Sequence, residues 1–231
     1  MLKKIEQWVF PAICCLCRQY SDTDRDLCQR CWHSLPWIED RCYGCGERLE
    51  GGEYSVFCES CSNRAYAFDR LCALFSYEPP VTKLITDLKF NKQLAYGKIL
   101  GELLADKVMH WYRDKPLPEA VLPVPLYRDR LRKRGFNQSL EFLWPLKSRI
   151  SIPIILDTCL RIRKTPPQAK MDKAERKQNL KDAFQMAKPI RFEHIVIMDD
   201  VVTTGSTVHA MSQVLKEAGV DQIDIWCICR A

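Results

Sequence analysis

Long apolar runs are absent from this 231-residue chain. No stretch approaches the roughly 18 residues that a membrane span requires. Met1 to Phe10 carries Lys3 and Lys4, but Glu6 and Gln7 interrupt any apolar core of a secretory signal. Histidine is scarce. His33, His110, His194 and His209 fall at no spacing that suits a metal ligand set or a catalytic triad. No G-x-x-x-x-G-K-[ST] run occurs, which excludes a P-loop. No cysteine follows Met1 and no glutaminase-like segment is recognisable, which argues against a glutamine-dependent amidotransferase. These absences predict a cytoplasmic protein with reduced thiols and no membrane span.

Cysteine, in contrast, is plentiful: thirteen are present, ten of them before Ala73. Eight form C-x-x-C pairs, Cys14 with Cys17, Cys28 with Cys31, Cys42 with Cys45 and Cys58 with Cys61. Two thiolates at that spacing reach adjacent vertices of a tetrahedron around Zn²⁺, and eight suffice for two Cys₄ sites, a double zinc ribbon. A segment of about 55 residues with so few core apolar residues needs such staples to fold, so the metal is structural first. Sequential pairing is simplest. An interleaved arrangement, Cys15 as a substitute ligand, a contact from His33 and an iron–sulfur site are the alternatives. Trp32, Trp37 and Phe57 either stack bases or form the module's small core. Cys72, Cys159, Cys227 and Cys229 sit in apolar strand contexts and read as core residues.

A composition break near residues 65 to 70 predicts a zinc-ribbon module over 1–66 and a second domain over 67–231. In that second part, strands are predicted at Leu71 to Tyr77, Ala120 to Pro125, Pro153 to Leu156, His194 to Met198 and Asp221 to Cys229. Helices are predicted at Val81 to Phe90, Leu94 to Trp111, Gln138 to Ile150 (kinked or ended by Pro145) and Ser206 to Ala218, with Ser206 as N-cap and Gly219 as stop signal. Alternating strands and helices imply an α/β fold with a mostly parallel sheet covered on both faces. A basic loop follows Pro125, and a polar, mobile loop is predicted from Lys164 to Gln178.

Charge is uneven. Net charge is +6 overall, yet Pro125 to Lys181 holds fifteen Lys/Arg against five acids, a local +10 that leaves the remainder near −4. Such a field suits a polyanion such as pyrophosphate or nucleic acid; the bland alternative is a solvated basic face.

The chemistry concentrates in Asp199-Asp-Val-Val-Thr-Thr-Gly-Ser-Thr207. A buried strand ends in two carboxylates, and a small-residue loop opens into a helix. Loop amides and the helix N-terminus suit a phosphate, Thr203, Thr204, Ser206 and Thr207 add hydroxyl donors, and Gly205 lets backbone approach an anion. Carboxylates beside a phosphate repel it, so Asp199 and Asp200 should serve ribose hydroxyls, as acids do in dinucleotide folds. The bland alternative is that Asp199 merely caps a strand end.

This segment resembles the 5-phosphoribosyl diphosphate (PRPP) motif of type I phosphoribosyltransferases. Across nearly the whole chain the sequence resembles the ComF-type family of competence and DNA-utilisation proteins. The matching pieces are Leu88-Lys-Phe90, Val124 to Gln138 with its Arg-Gly-Phe-Asn-Gln ending, Gln168, Arg176 to Leu180, Ala183-Phe184 and the loop itself. The resemblance implies a type I phosphoribosyltransferase-like fold behind the zinc module. Asp199 and Asp200 would bind the ribose 2- and 3-hydroxyls, and residues 203–207 the 5-phosphate. Arg128, Arg132 and Arg134 would face pyrophosphate or DNA, with Mg²⁺ accompanying PRPP. Arg163, Lys164 and Arg176 would belong to, or flank, a loop that closes over the site. It also implies a part in uptake or use of external DNA, with single-stranded DNA and DNA-uptake proteins as partners. A phosphoribosyltransferase active in base or nucleotide salvage, with no DNA contact, is the second reading. The sequence names no acceptor for it.

Overall fold

The computed structural model describes residues 12–39, 41–49, 57–62, 66–164 and 182–231. The opening ten residues, Arg176 and all of the predicted mobile loop beyond Lys164 lie outside the described residues.

In chain order, short helices α1 (Gln29–His33) and α2 (Glu59–Ser62) belong to the cysteine-rich part. Strand β1 (Arg70–Ser76) is followed by helices α3 (Val81–Asn91) and α4 (Leu94–Trp111). Strand β2 (Ala120–Pro123) leads to α5 (Arg128–Arg134), α6 (Gln138–Glu141) and α7 (Leu143–Lys147). Two short strands, β3 (Cys159–Arg161) and β4 (Phe184–Met186), come next. Strand β5 (His194–Val202), helix α8 (Ser206–Glu217) and strand β6 (Gln222–Arg230) complete the order.

The main sheet runs β1-β6-β5-β2 with every pair parallel, while β3 and β4 form a separate antiparallel pair. Parallel strands covered on both faces read as unbroken apolar runs, and Ile195 to Met198 and Ile223 to Cys229 are buried accordingly. Along β5 the faces alternate. Val196 and Met198 pack with Leu84, Ile85 and Leu88 of α3 and with Leu100, Leu103 and Leu104 of α4. Ile195 and Ile197 pack with Val208, Met211 and Leu215 of α8 and with Phe184 of β4. The sheet is thus one layer between two, as the alternating pattern predicts.

The cysteine-rich part shares this core. Cys14, Leu27, Cys31 and Leu35 belong to the same apolar cluster as α3 and α4. Residues 36–38 run beside β1: Ile38 N donates to Leu74 O at 3.0 Å, and Ser76 N to Pro36 O at 2.9 Å. That covers an edge which would otherwise be open to pairing.

Several predicted elements shift. The basic loop after Pro125 is instead helix α5, because Gly135 (φ 87°) supplies the left-handed C-cap that ends one turn after another of good helix formers. Strand β5 does not stop at Met198; it carries both aspartates and ends at Val202. The helix expected from Gln138 to Ile150 divides at Phe142 into α6 and α7, with Pro145 inside the second. Pro153 to Leu156 makes only one bridge, Ile154 with Val121. Gly205, not Ser206, is the N-cap of α8. The β3–β4 pair was not anticipated, since three-residue strands carry no readable period.

Candidate functional site

Strand β5 delivers Asp199 and Asp200 to the C-terminal end of the sheet, where ligand crevices of open parallel sheets form. Asp199 and residues 201–208 line a cleft of roughly 230 Å³, open mouth included. At the turn, Gly205 takes φ 73° and offers no side chain to cap α8. The first helical turn therefore opens on the cleft with its partial positive charge. Thr204 Oγ1 and Ser206 Oγ lie 2.7 Å apart, and Ser206 N donates to Thr204 Oγ1 at 3.4 Å. Thr203 is exposed, whereas Thr204, Ser206 and Thr207 are half-buried in the cleft wall.

Both acids are buried. Asp200 N donates to Asp199 Oδ1 at 2.8 Å, so the strand backbone orients the first carboxylate. Burial and then the charge of Asp200 push the Asp199 carboxyl well above the usual range. Burial would raise Asp200 as well, but Lys89 outweighs it and holds that carboxyl down. Two adjacent acids in such a setting each disfavour the ionised form of the other. Lys89, from the last turn of α3, forms an ion pair with Asp200 Oδ2.

Two arginines complete the surround. Burial lowers the Arg134 pKa against the attraction of Asp200, and its guanidinium bonds Gln138 and stands 5.8 Å from the Phe90 ring centroid. Burial also lowers Arg161, which feels Arg130 as a repulsive neighbour and Asp199 as an attractive one. Lys89 and Phe90 were visible in the sequence only as part of Leu88-Lys-Phe90, and Arg161 lies within the basic stretch without a distinguishing local mark.

The Arg-Gly-Phe-Asn-Gln segment has a mechanical explanation. Gly135 ends α5, with its N–H donating to Leu131 O at 2.7 Å. Asn137 then caps α6 through its Oδ1, which accepts from Ser139 N at 3.1 Å, while its Nδ2 donates to Val124 O at 3.0 Å. One side chain thereby ties the end of β2 to the start of α6 and seats α5 beside the cleft. Arg128 and Arg132 are exposed on α5. Lys164 reaches that helix through Asp129 at 3.3 Å, and Arg163 lies 3.9 Å from Asp182.

The cysteines form two clusters, Cys14, Cys17, Cys28 and Cys31, then Cys42, Cys45, Cys58 and Cys61, each with its Sγ atoms within 4.8 Å of one another. Pairing is sequential. Cys15 stands apart from both sets, its thiol pushed up to about 11 by burial and by the charge of Cys14. His33 joins neither cluster and packs edge-on against Trp32. Trp37 packs on Phe75 at 4.5 Å, so it serves the core rather than an open face.

Within each cluster one thiol is drawn down, Cys14 to about 6 and Cys42 to about 7, where backbone amides outweigh the opposing effect of burial. Burial drives Cys31 up to about 12 and Cys45 to about 11. Four sulfurs this close cannot all shed protons unless a cation compensates them. A tetrahedral divalent ion such as Zn²⁺ fits that donor set.

Residues 5–72 match the family described as Double zinc ribbon domain, and residues 152–231 match the Phosphoribosyl transferase domain. The chain is 34% identical over 223 residues to a Salmonella typhi protein named DNA utilization protein YhgH, covering 95% of this chain and 97% of that one. It is 32% identical over 209 residues to Competence protein F of Haemophilus influenzae, covering 88% and 89% respectively. Competence protein ComFC of Streptococcus pneumoniae is 23% identical over 218 residues, covering 90% of this chain and 89% of that one. Among solved structures, a purine phosphoribosyltransferase from Pyrococcus horikoshii Ot3 aligns with TM-score 0.32 and 16% identity, covering 57% of this chain and 80% of that one. No helix among the described residues is long and apolar enough to cross a membrane.

Proposed function

Because this chain belongs to the ComF-type family, with a double zinc ribbon ahead of a phosphoribosyltransferase domain, we propose that it binds PRPP or a related 5-phosphoribosyl ligand and acts in the use of external DNA. One observation carries the reading: a buried carboxylate pair runs within three residues into a hydroxyl-lined turn at the head of the 12-residue helix α8. The turn at residues 203–207 receives the 5-phosphate through amides and hydroxyls. Asp199 and Asp200 accept hydrogen bonds from the ribose 2- and 3-hydroxyls. Arg134 faces the pyrophosphate, with Arg128 and Arg132 farther out on α5. Asp199 and Asp200 are the residues that would hold a Mg²⁺ arriving with PRPP, and the ion would supply charge screening. If transfer occurs, the cationic side chains stabilise the leaving pyrophosphate as charge develops on it.

The DNA part rests on α5, which presents five Lys/Arg among seven residues, and on Phe90, 72% exposed beside it. Cations that follow a phosphate backbone and an aromatic face on which a base stacks are the two parts of a single-strand site. The names borne by the relatives, DNA utilization protein and Competence protein F, point the same way.

Titration calorimetry with PRPP and Mg²⁺ tests the first claim. Asp199→Ala combined with Asp200→Ala should abolish the binding heat while leaving the fold intact; unchanged affinity rejects the ribose assignment. For DNA, four phosphate contacts from the exposed Arg128, Arg130, Arg132 and Lys133 predict a log–log salt slope of about −2.8 on a single strand. A flat dependence rejects a polyanion site on α5. Pyrophosphate release, measured with and without DNA and across a panel of bases, separates a binding protein from an active transferase.

A further inference from the structure

Arg230, the last residue of β6, is mostly buried although it is an arginine at a strand end. Its guanidinium is divided between two parts of the molecule that the sequence keeps far apart. Nε donates to Cys45 O at 2.9 Å, and Nη2 lies 3.7 Å from Glu47 Oε2, both in the turn of the second cysteine cluster. Nη1 donates to Val202 O at 3.3 Å and to Thr203 O, at the start of the phosphate-binding turn.

We infer that Arg230 is a positioning residue, a strut through which metal occupancy of Cys42, Cys45, Cys58 and Cys61 sets the order of the turn at residues 203–207. A guanidinium is a rigid planar fork with five donors in fixed directions. Carbonyls held by its opposite sides cannot move independently without losing a charge-assisted bond. The cluster turn is itself short and closed, with Cys42 N donating to Glu47 O at 2.7 Å and Gly46 N to Cys42 O at 2.9 Å. Its shape depends on the four sulfurs being drawn together, which is what a bound cation does. At the other side, Thr203 O belongs to the residue that opens the phosphate cradle, so a shift there redirects the amides that follow. The backbone ladder between β5 and β6 reaches Val202 but not Thr203, and Arg230 extends the hold by that one residue. The zinc module thereby acts on the ligand site through the end of β6.

The order of the turn is measurable without any ligand, by hydrogen exchange of peptides spanning residues 201–208 in the full chain. Wild type, Arg230→Ala and Cys58→Ser/Cys61→Ser are compared, with metal content and circular dichroism recorded for each. Exchange at 203–207 should quicken at least tenfold in Arg230→Ala while both metal ions are retained. It should quicken similarly in the cysteine variant, which keeps one ion. The combined variant should be no faster than the worse single one, because both changes cut one strut. Arg230→Lys, which retains the charge but cannot reach both carbonyls, provides the same reading if the alanine variant folds poorly. Wild-type exchange in Arg230→Ala or Arg230→Lys overturns the inference, as do fully additive effects in the combined variant. The consequence for ligand rests on the phosphoribosyl reading: PRPP affinity should fall at least tenfold in both single variants. A wild type that binds no PRPP overturns that ligand assignment alone, and the exchange result still decides the coupling.

Discussion

Asp224 near the start of β6 and Asp199 near the end of β5 are both buried acids in one sheet, set in opposite surroundings. Asp224 Oδ2 accepts from Arg70 at 2.7 Å and from Tyr112, and lies 3.2 Å from His194 Nε2. Burial would raise its carboxyl, but His194, Tyr112 and Arg70 together hold it below the usual range. Trp226 Nε1 closes the group by donating to Tyr112 Oη at 3.2 Å. Asp199, opposite Cys227 and so three positions farther along β6, has another carboxylate as its neighbour and faces a cleft. The lesson is that burial does not distinguish a structural acid from a binding one. Compensation does: Asp224 is neutralised by fixed partners, and Asp199 keeps a deficit that the hydroxyl-rich ligand proposed above would relieve.

The largest effect should come from Asp224→Ala, which leaves the Arg70 guanidinium buried without its partner. A loss of about 3–5 kcal/mol is expected from the urea midpoint and slope, with ligand affinity of the folded protein unchanged. A loss below about 1 kcal/mol would remove the distinction between the two ends.

Asp199→Asn should behave in the opposite sense. It relieves a like-charge contact, so the thermal midpoint at pH 7 holds or rises, whereas PRPP affinity falls about 10- to 100-fold, the cost of one charge-assisted hydrogen bond. A clear fall in midpoint would place Asp199 with the structural acids.

Acid should sharpen the contrast. The folded Asp224 pKa is depressed, so its stabilisation is present above the unfolded value near 3.9 and is lost as pH falls through the folded value. The folded Asp199 pKa is raised, so its ionisation weakens the fold as pH climbs through that value. Unfolding curves should therefore hold wild type and Asp224→Asn apart down to about pH 4 and bring them together only below it, whereas the advantage of Asp199→Asn should vanish as pH falls from 7 to about 4. Curves for wild type and Asp224→Asn that converge already above about pH 4 would contradict the depressed value.

The smallest effect on affinity belongs to Lys89→Met. Stability should fall by about 1–3 kcal/mol, less than for Asp224→Ala, because the pair is mostly buried but Asp200 can take up a proton once its cation is gone. PRPP affinity should still drop severalfold, because Asp200 without its cation takes up a proton more readily. Unchanged affinity at pH 6 and pH 8 would show that Lys89 does not tune the acid pair.

Much of this was legible beforehand because the signals are local. Four C-x-x-C pairs identify two ligand sets, and the tertiary arrangement selects the sequential one. The β5–turn–α8 unit is contiguous, so an apolar run, two acids and a small-residue turn announce it. The errors have local causes too. A Gly C-cap converts a basic stretch into α5, and parallel pairing with β6 carries β5 past its acids. Whether residues 1–66 and 67–231 act as separate units is a matter of proposal, and the apolar cluster they share bears on it.

By itself, then, the sequence determined which residues could hold metal, where a hydroxyl-lined turn would open into a helix and that a parallel sheet would carry it, because each depends on neighbours a few positions apart. Tertiary structure alone decided which distant charges meet there. Lys89 reaches Asp200 across more than a hundred residues, Asp224 gathers Arg70, Tyr112 and His194, and Arg230 joins the second cysteine turn to Thr203. Those meetings follow from strand order and helix packing, which bring together side chains that no local spacing relates.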